Sequence, residues 1–412
     1  VRTEQNRLNF FRQNQKKIRS DHFNSLQEYI SNEEQNGPPG RILLPSTFKN
    51  GPRGMVASYQ DMMSIVARHG RPDYFITMTC NPKWREILEN LYPGQTASDR
   101  PDLVARVFKL KLNRLIEDLT KKHVLGEVSS FVYVVEFQKR GLPHAHILLT
   151  MKFNFKPKTT EVVDKVICAE LPDPDIDPEL YNFVSLNMIH QPCGFFNENA
   201  SCMKNNKCSK KFPKAFQAET RLTEGYPLYR RRNDGRTVQC RGVILDNRNV
   251  VPYNKYLLLK YRAHINVEIC TNISAIKYLY KYVYKGSDRA RVELYVSDKN
   301  LNSEKIDEIK HYCDFRYVCA PESAHRLLGY EMESRSHSIV RLQVHLPGQT
   351  TVLFQEGQEK EALEAAKKKD STLTAWFKLN QFYNHLQASN SFPDDGIDSR
   401  NLFYHQIPEY FI

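Results

Sequence analysis

Two histidines with one residue between them, His144 and His146, stand in the run 136–149, EFQKRGLPHAHILL. An alternating stretch, 132–138, leads into a Gly-Leu-Pro turn and a second, 144–149, leads out, which predicts a β-hairpin. Residues i and i+2 of a strand share a face, so both imidazoles project together. Glu136 and Gln138 likewise share a face of the partner strand. Two imidazoles with a carboxylate or amide oxygen form a donor set for a divalent metal that keeps open positions. A bare His-x-His is more plainly a pair of sheet-surface histidines, so a second reactive group must lift it.

The stretch 272–286, NISAIKYLYKYVYKG, supplies that group. Its tyrosines alternate at 278, 280, 282 and 284, which suits a strand with a tyrosine face. Against this, Thr271 or Asn272 is a good N-cap, Gly286 suits a helix C-terminus, and lysines crowd the last turn. At roughly 100° per residue, Ile273, Ile276, Leu279, Tyr280, Val283 and Tyr284 gather on one arc while Tyr278, Tyr282 and Lys285 fall opposite. As a helix the segment presents Tyr278 and Tyr282 one turn apart. A phenol is a poor nucleophile at neutral pH; Lys277, Lys281 and Lys285 favour phenolate, and a metal polarises a phosphate under attack. These groups in a basic chain fit attack on a DNA phosphodiester. For any single tyrosine, core packing is the plainer role.

A third constellation is His190, Cys193, Cys202 and Cys208, four zinc-type ligands in a loop-rich basic stretch. The spacing fits no common finger, and reduced thiols in a loop are the alternative. If it holds Zn²⁺, the ion staples a knuckle beside Lys204, Lys207, Lys210, Lys211 and Lys214, a phosphate-contact surface. Cys80, Cys168, Cys240, Cys270, Cys313 and Cys319 read as packing residues.

The rest of the chain must position these groups. A helix is expected over 5–35, stopped by 36–40; a basic loop spans 45–53, and Ser58 caps a helix over 59–69. A strand at 74–79 ends in a turn at 80–84 that leads into another helix, and 102–122 forms a basic amphipathic helix. The Pro- and Asp-rich stretch 153–180 suggests a linker or inserted module. Runs at 256–259 and 265–269 look like strands, and 358–369 like an exposed charged helix.

At 412 residues, 41% of them hydrophobic, the chain has room for two or three globular domains. No apolar run approaches the roughly 20 residues that span a bilayer. A formal charge of +12 favours a polyanionic partner over membrane, for which no amphipathic anchor is evident. Nine cysteines, an odd number, argue for reduced thiols and metal ligands. With no signal-peptide layout and no initiator Met, the chain is expected to be a piece of something longer. No Gly-x-x-x-x-Gly-Lys-Ser/Thr phosphate loop is present, so helicase ATPase activity is not expected of it.

The run PHAH resembles the His-hydrophobic-His motif of the HUH endonucleases. The whole chain resembles the Rep nuclease region of eukaryotic Helitron transposases, often labelled the Helitron helicase-like domain. The stretches that carry the likeness are 74–84 (YFITMTCNPKW), 136–149, 188–214 with its CSKKFPK, 252–268 (PYNKYLLLKYRAHINVE) and 275–286 (AIKYLYKYVYKG). They span most of 5–345. The resemblance implies that His144 and His146 bind Mg²⁺ or Mn²⁺, with Glu136 as third ligand and Gln138 second in line. It implies that Tyr278 and Tyr282 are paired nucleophiles. It also implies a five-stranded antiparallel sheet flanked by helices, with Asn81 and Lys83 near DNA. Trp84 and Phe137 are candidate base-stacking surfaces, although core packing is the plainer role for both.

The expected fold class is therefore α+β, an HUH-type nuclease with a central antiparallel sheet flanked by helices, an inserted Cys-rich zinc-knuckle-like segment and accessory helices. The expected division is an N-terminal helical and basic segment over 1–70, a first part of the nuclease core over 71–152 and a Cys-rich insertion over 153–250. The tyrosine-bearing second part of the core follows over 251–290, then an accessory region over 291–412 leading toward a helicase outside this chain. The expected function is metal-dependent nicking and strand transfer on single-stranded DNA at transposon ends and target, through 5′-phosphotyrosine, in the nucleus. The alternatives are a domesticated, inactive DNA-binding module and a viral or plasmid replication initiator.

Overall fold

The structure is a computed structural model that describes residues 2–15, 19–22, 44–48, 51–137, 141–223, 226–270, 309, 312, 318–354, 357–389 and 397–411. It has two compact units: Met55–Arg291 with Arg316–His337, and Val1–Gly54 with Val292–Phe315 and Ser338–Ile412.

The first unit is built on a five-stranded sheet. Tyr74–Thr79 (β1), Val128–Phe137 (β2), Pro143–Met151 (β3), Ile265–Ile269 (β4) and Glu333–Arg335 (β5) run in the order β5-β2-β3-β1-β4, every neighbour antiparallel. Alternation assigns the faces. Tyr74, Ile76 and Met78 of β1, Tyr133, Val135 and Phe137 of β2, Ala145, Ile147 and Leu149 of β3, and Ile265, Val267 and Ile269 of β4 enter one core. Helix α2, Pro101–Thr120, closes that core with Val104, Phe108, Leu112, Leu115 and Leu119, a helical stripe led by a proline in the first turn. A one-residue slip of any inner strand would bring this apolar set to the other face, at about 1.5–3 kcal/mol for each large side chain. Register is therefore pinned, and with it the row of residues on the far face.

Helix α1, Pro52–His69, serves the far face. Ser58 hydrogen-bonds Glu333, Asp61 pairs with Arg335 at 2.8 Å, and His69 Nδ1 lies 3.0 Å from Ser129 Oγ. The helix starts seven residues before the expected Tyr59, because Pro52 fits a first helical turn and Gly54 tolerates close packing. A Cβ at Gly54 would stand 2.9 Å from the Phe48 carbonyl oxygen.

Several expectations change here. The stretch 153–180 is not a bare linker: Val163, Ile167 and Ala169 join the main core, and Leu171 and Leu180 a second one with Val184, Met188, Val250, Tyr253 and Leu258. Asp177 and Pro178 start a helix there, Asp177 accepting from Leu180 N (3.0 Å) at the head of helix α3, Pro178–Asn187. The run 256–259 lies in a helix, α4, Lys255–Tyr261, rather than a strand. Asn254 caps it by accepting from Leu257 N (3.0 Å), and the short apolar run alone cannot separate the two readings. Helix α5, Ala320–Leu327, packs on α2.

In the second unit, helix Arg2–Gln13 buries Leu8 in a small cluster with Leu44, Phe48, Ile309 and Tyr312. The helix expected over 5–35 stops at Gln13; Arg19–His22 is a strand paired with Thr351–Phe354, a long-range ladder that overrides local periodicity. Helix Glu359–Lys368 lays Leu363 on Val352 and Phe354. No helix among the described residues is long and apolar enough to cross a membrane.

Candidate functional site

Strand register lines up two rows of side chains on the face opposite α2. Glu136, His144 and Thr79 form one row; Glu333, Val134, His146, Thr77 and Asn266 form the next. Each histidine is held from β1: Thr79 Oγ1 lies 2.9 Å from His144 Nδ1, and Thr77 Oγ1 3.1 Å from His146 Nδ1. Both rings thus have Nδ1 engaged against the sheet, which orients Nε2 the other way. His146 Nε2 stands 3.1 Å from Glu136 Oε2, and Phe75 stacks on the same ring at 5.7 Å. His264 extends the first row, its Nδ1 3.5 Å from Thr79 Oγ1. Burial, and then the neighbouring His146 imidazole, depress His144 to about 4 against the opposing pull of Glu136. It is therefore neutral at pH 7, the form that binds a metal. The threonines escaped sequence reasoning, although their alternation within YFITMT placed them on one face.

Can these donors hold Mg²⁺ or Mn²⁺? Two ligands about 2.1 Å from an octahedral ion and at right angles stand about 3.0 Å apart. The 3.1 Å between His146 Nε2 and Glu136 Oε2 suits such a pair, and equally a hydrogen bond donated by Nε2–H. The residue types, two imidazoles and a carboxyl group, are ones such an ion accepts.

Tyr278, Tyr282, Lys281 and Lys285 lie outside the described residues, as do Gln138 and Cys313. Trp84 and Phe137 are not exposed stacking surfaces; both are core residues, 3% and 6% exposed. Trp84 Nε1–H donates to the Tyr261 carbonyl (2.7 Å), and Phe137 meets His325 edge-on at 5.4 Å. Asn81 donates to the Arg262 carbonyl (2.7 Å) and accepts from Lys83 N (2.9 Å), fixing the turn after β1, from which Lys83 is exposed.

His190, Cys193, Cys202 and Cys208 converge, all four ligand atoms lying within 4.8 Å of one another, and this cluster can hold a metal such as zinc. Among the described residues it is the one such group of His, Cys, Asp and Glu. His190 Nε2 stands 3.6 Å from Cys193 Sγ and 3.5 Å from Cys208 Sγ. A tetrahedral ion with Zn–S of about 2.3 Å and Zn–N of about 2.0 Å requires N···S separations of about 3.5 Å. A two-residue hairpin brings Cys202 and Cys208 together: Met203 pairs with Cys208 across Asn205-Asn206, both with positive φ. Burial raises the Cys208 thiol, but backbone N–H groups of Phe212 and Lys210 aimed at its sulfur outweigh that and hold it below its ordinary value. Cys193, partly buried and facing the other thiols, is pushed up to about 12. His190 is held low by burial and then by Lys210 and Lys214, and stacks on Phe212 at 4.2 Å. The knuckle hangs from the second core, with His190 N bonded to Asn249 O (2.8 Å) and Lys214 N to Arg248 O (2.9 Å).

Lys204, Lys207, Lys210 and Lys211 are exposed. Lys214 is half-buried, its Nζ donating to the Lys210 carbonyl (2.9 Å) and lying 4.8 Å from the Tyr226 ring. Cys80 and Cys319 are buried, and Cys168, Cys240 and Cys270 partly so, all as free thiols.

Residues 1–149 match the family model for the Helitron helicase-like domain at the N-terminus. No curated protein matches the chain. The family match supports Helitron membership and a transposase-related, DNA-directed function.

Proposed function

From that match over residues 1–149, we propose that the chain is a metal-dependent, two-tyrosine endonuclease and strand transferase acting on single-stranded DNA. The observation that carries the reading is the pair of Thr-anchored imidazoles, with Glu136 in contact with one of them, on the sheet face opposite α2. His144, His146 and Glu136 would hold Mg²⁺ or Mn²⁺, which polarises the scissile phosphate when bound. Thr77 and Thr79 fix ring orientation, and neutral His144 keeps a lone pair for ligation.

Tyr278 and Tyr282 are the proposed nucleophiles. They follow Ile269 by 9 and 13 residues, tethers of at most about 32 and 47 Å. Asn266, beside Thr77 in the His146 row, lies three residues before Ile269, about 10 Å along a strand. Both phenols are therefore within tether reach of the histidines. Lys277, Lys281 and Lys285 favour phenolate. The phenolate oxygen forms the bond to phosphorus, the bond to the 3′ oxygen breaks, and that oxygen leaves as a hydroxyl after taking a proton from solvent. The 5′ phosphate stays on tyrosine, and a second phenol serves the other strand. A helicase in the full-length protein would feed single strands to this site.

Oligonucleotides labelled at the 5′ or 3′ end, incubated with Mn²⁺, test the reading. Wild type should nick them and retain the 5′-phosphate side covalently, and Tyr278→Phe with Tyr282→Phe should abolish the adduct. Unchanged adduct in the double variant removes the nucleophile assignment. A catalytically inactive DNA-binding module would bind the oligonucleotide and never nick it.

A further inference from the structure

The knuckle carries two features that its own packing does not explain. Phe195 and Phe196 occupy the middle of a tight turn, Asn197 N bonding to Gly194 O at 3.0 Å, and are 96% and 62% exposed. Their rings stand edge to face, 5.8 Å apart. Lys204 and Lys207 face each other as a cross-strand pair, both exposed. Like charges opposed across a hairpin destabilise it. Between 190 and 214 one carboxylate, Glu198, stands against five lysines. Phe195 is two residues from Cys193, Lys204 two from Cys202 and Lys207 one from Cys208, and the ligand atoms of those cysteines lie within 4.8 Å of one another. The exposed rings and the opposed cations therefore flank one ligand cluster.

We propose that Phe195 and Phe196 form a base-stacking platform for single-stranded DNA, with Lys204 and Lys207 holding its phosphates. A single strand relieves both features at once: unpaired bases offer faces to the rings and the backbone offers charge to the lysines. Duplex DNA satisfies the lysines alone, since its bases are stacked inside. The platform thereby takes the role that buried Trp84 and Phe137 cannot fill. The inference borrows from the proposed function only that single-stranded DNA is the partner; it needs no nicking.

The test uses the full chain loaded with zinc, without Mg²⁺ or Mn²⁺, and fluorescence anisotropy on a labelled oligo-dT. Phe195→Ala and Phe196→Ala should each weaken binding about tenfold, leave duplex binding unchanged, and keep the salt dependence of wild type. Lys204→Ala with Lys207→Ala should instead flatten the slope of log affinity against log salt by about 1.4. Phe195→Trp should retain affinity, with its added indole emission quenched by the oligonucleotide, and this serves should an alanine variant lose its zinc. Oligo-dT affinity within twofold of wild type in Phe195→Ala/Phe196→Ala, or an unquenched Phe195→Trp, overturns the platform. So does loss of binding to anionic vesicles while oligo-dT binding stays intact, which would make the patch a membrane contact. A chain that binds in this way but never nicks removes the nuclease reading alone.

Discussion

The sheet face and the knuckle each gather metal-type ligands, but by opposite means. The sheet histidines are held by register: Thr77 and Thr79 precede their partners by 69 and 65 residues, and the rows exist because a large core pins the strands. The knuckle ligands fall within nineteen residues, 190–208, and a hairpin plus their own convergence defines the site. One site borrows its rigidity from packing that would exist without it. The other, with Phe195 and Phe196 outside rather than inside, would lean on the ion it can hold.

The contrast breaks most readily at the knuckle. Cys202→Ser/Cys208→Ser should lose about one equivalent of zinc by metal analysis. Limited proteolysis should then cut within 190–214 while the main melting transition stays in place. A collapse of the whole unit would show that the ion supports more than its own loop.

At the sheet the order reverses, with geometry changing and the fold surviving. Thr77→Val and Thr79→Val keep the β-branched shape and remove the anchors of the two imidazoles. Metal-dependent nicking should fall about 10- to 100-fold, with a change in urea midpoint worth about 1 kcal/mol. Unaltered nicking would mean that the rings need no such support.

The core itself can be probed by pH. His325 is fully buried, its Nε2 3.3 Å from the Glu331 carbonyl, and burial depresses it to about 4 against an ordinary 6.5. Between those values the unfolded chain binds the proton and the folded chain does not. Stability is therefore complete above about 6.5 and is lost as pH falls toward 4, by about 3 kcal/mol from this residue. His325→Phe should flatten that part of the profile; the same slope in the variant would assign the proton elsewhere.

The smallest effect expected is at α4. Asn254→Ala removes its cap and should cost about 1 kcal/mol by chemical denaturation. No measurable loss would leave the helix to its buried face alone.

Much of this was legible in the chain and some was not, for physical reasons. Period-2 alternation marked β1, β2, β3 and β4, because a half-buried strand repeats every two residues and 74–79 does so cleanly. Four ligand-type residues within nineteen marked the knuckle, although their spacing fits no common finger. The pairing of Thr77 with His146 was not legible, since register is decided by the whole core. Core packing was the plainer role for Trp84 and Phe137, and their burial agrees with it; Phe195 and Phe196 are no different in type, and only their exposure marks them out. The strand expected at 256–259 failed because four apolar residues carry too little period, and the cap at Asn254 was the better signal.

The central claim is that the imidazoles on β3 and the phenols beyond β4 serve one reaction. Mass spectrometry of trypsin-digested protein–DNA adduct tests it most directly, because cleavage after Lys277, Lys281 and Lys285 isolates YLYK and YVYK, whose fragments separate the tyrosines. The account predicts DNA on Tyr278 or Tyr282 in wild type, and none in His144→Ala/His146→Ala. DNA on another tyrosine, or an adduct that persists without the histidines, contradicts it.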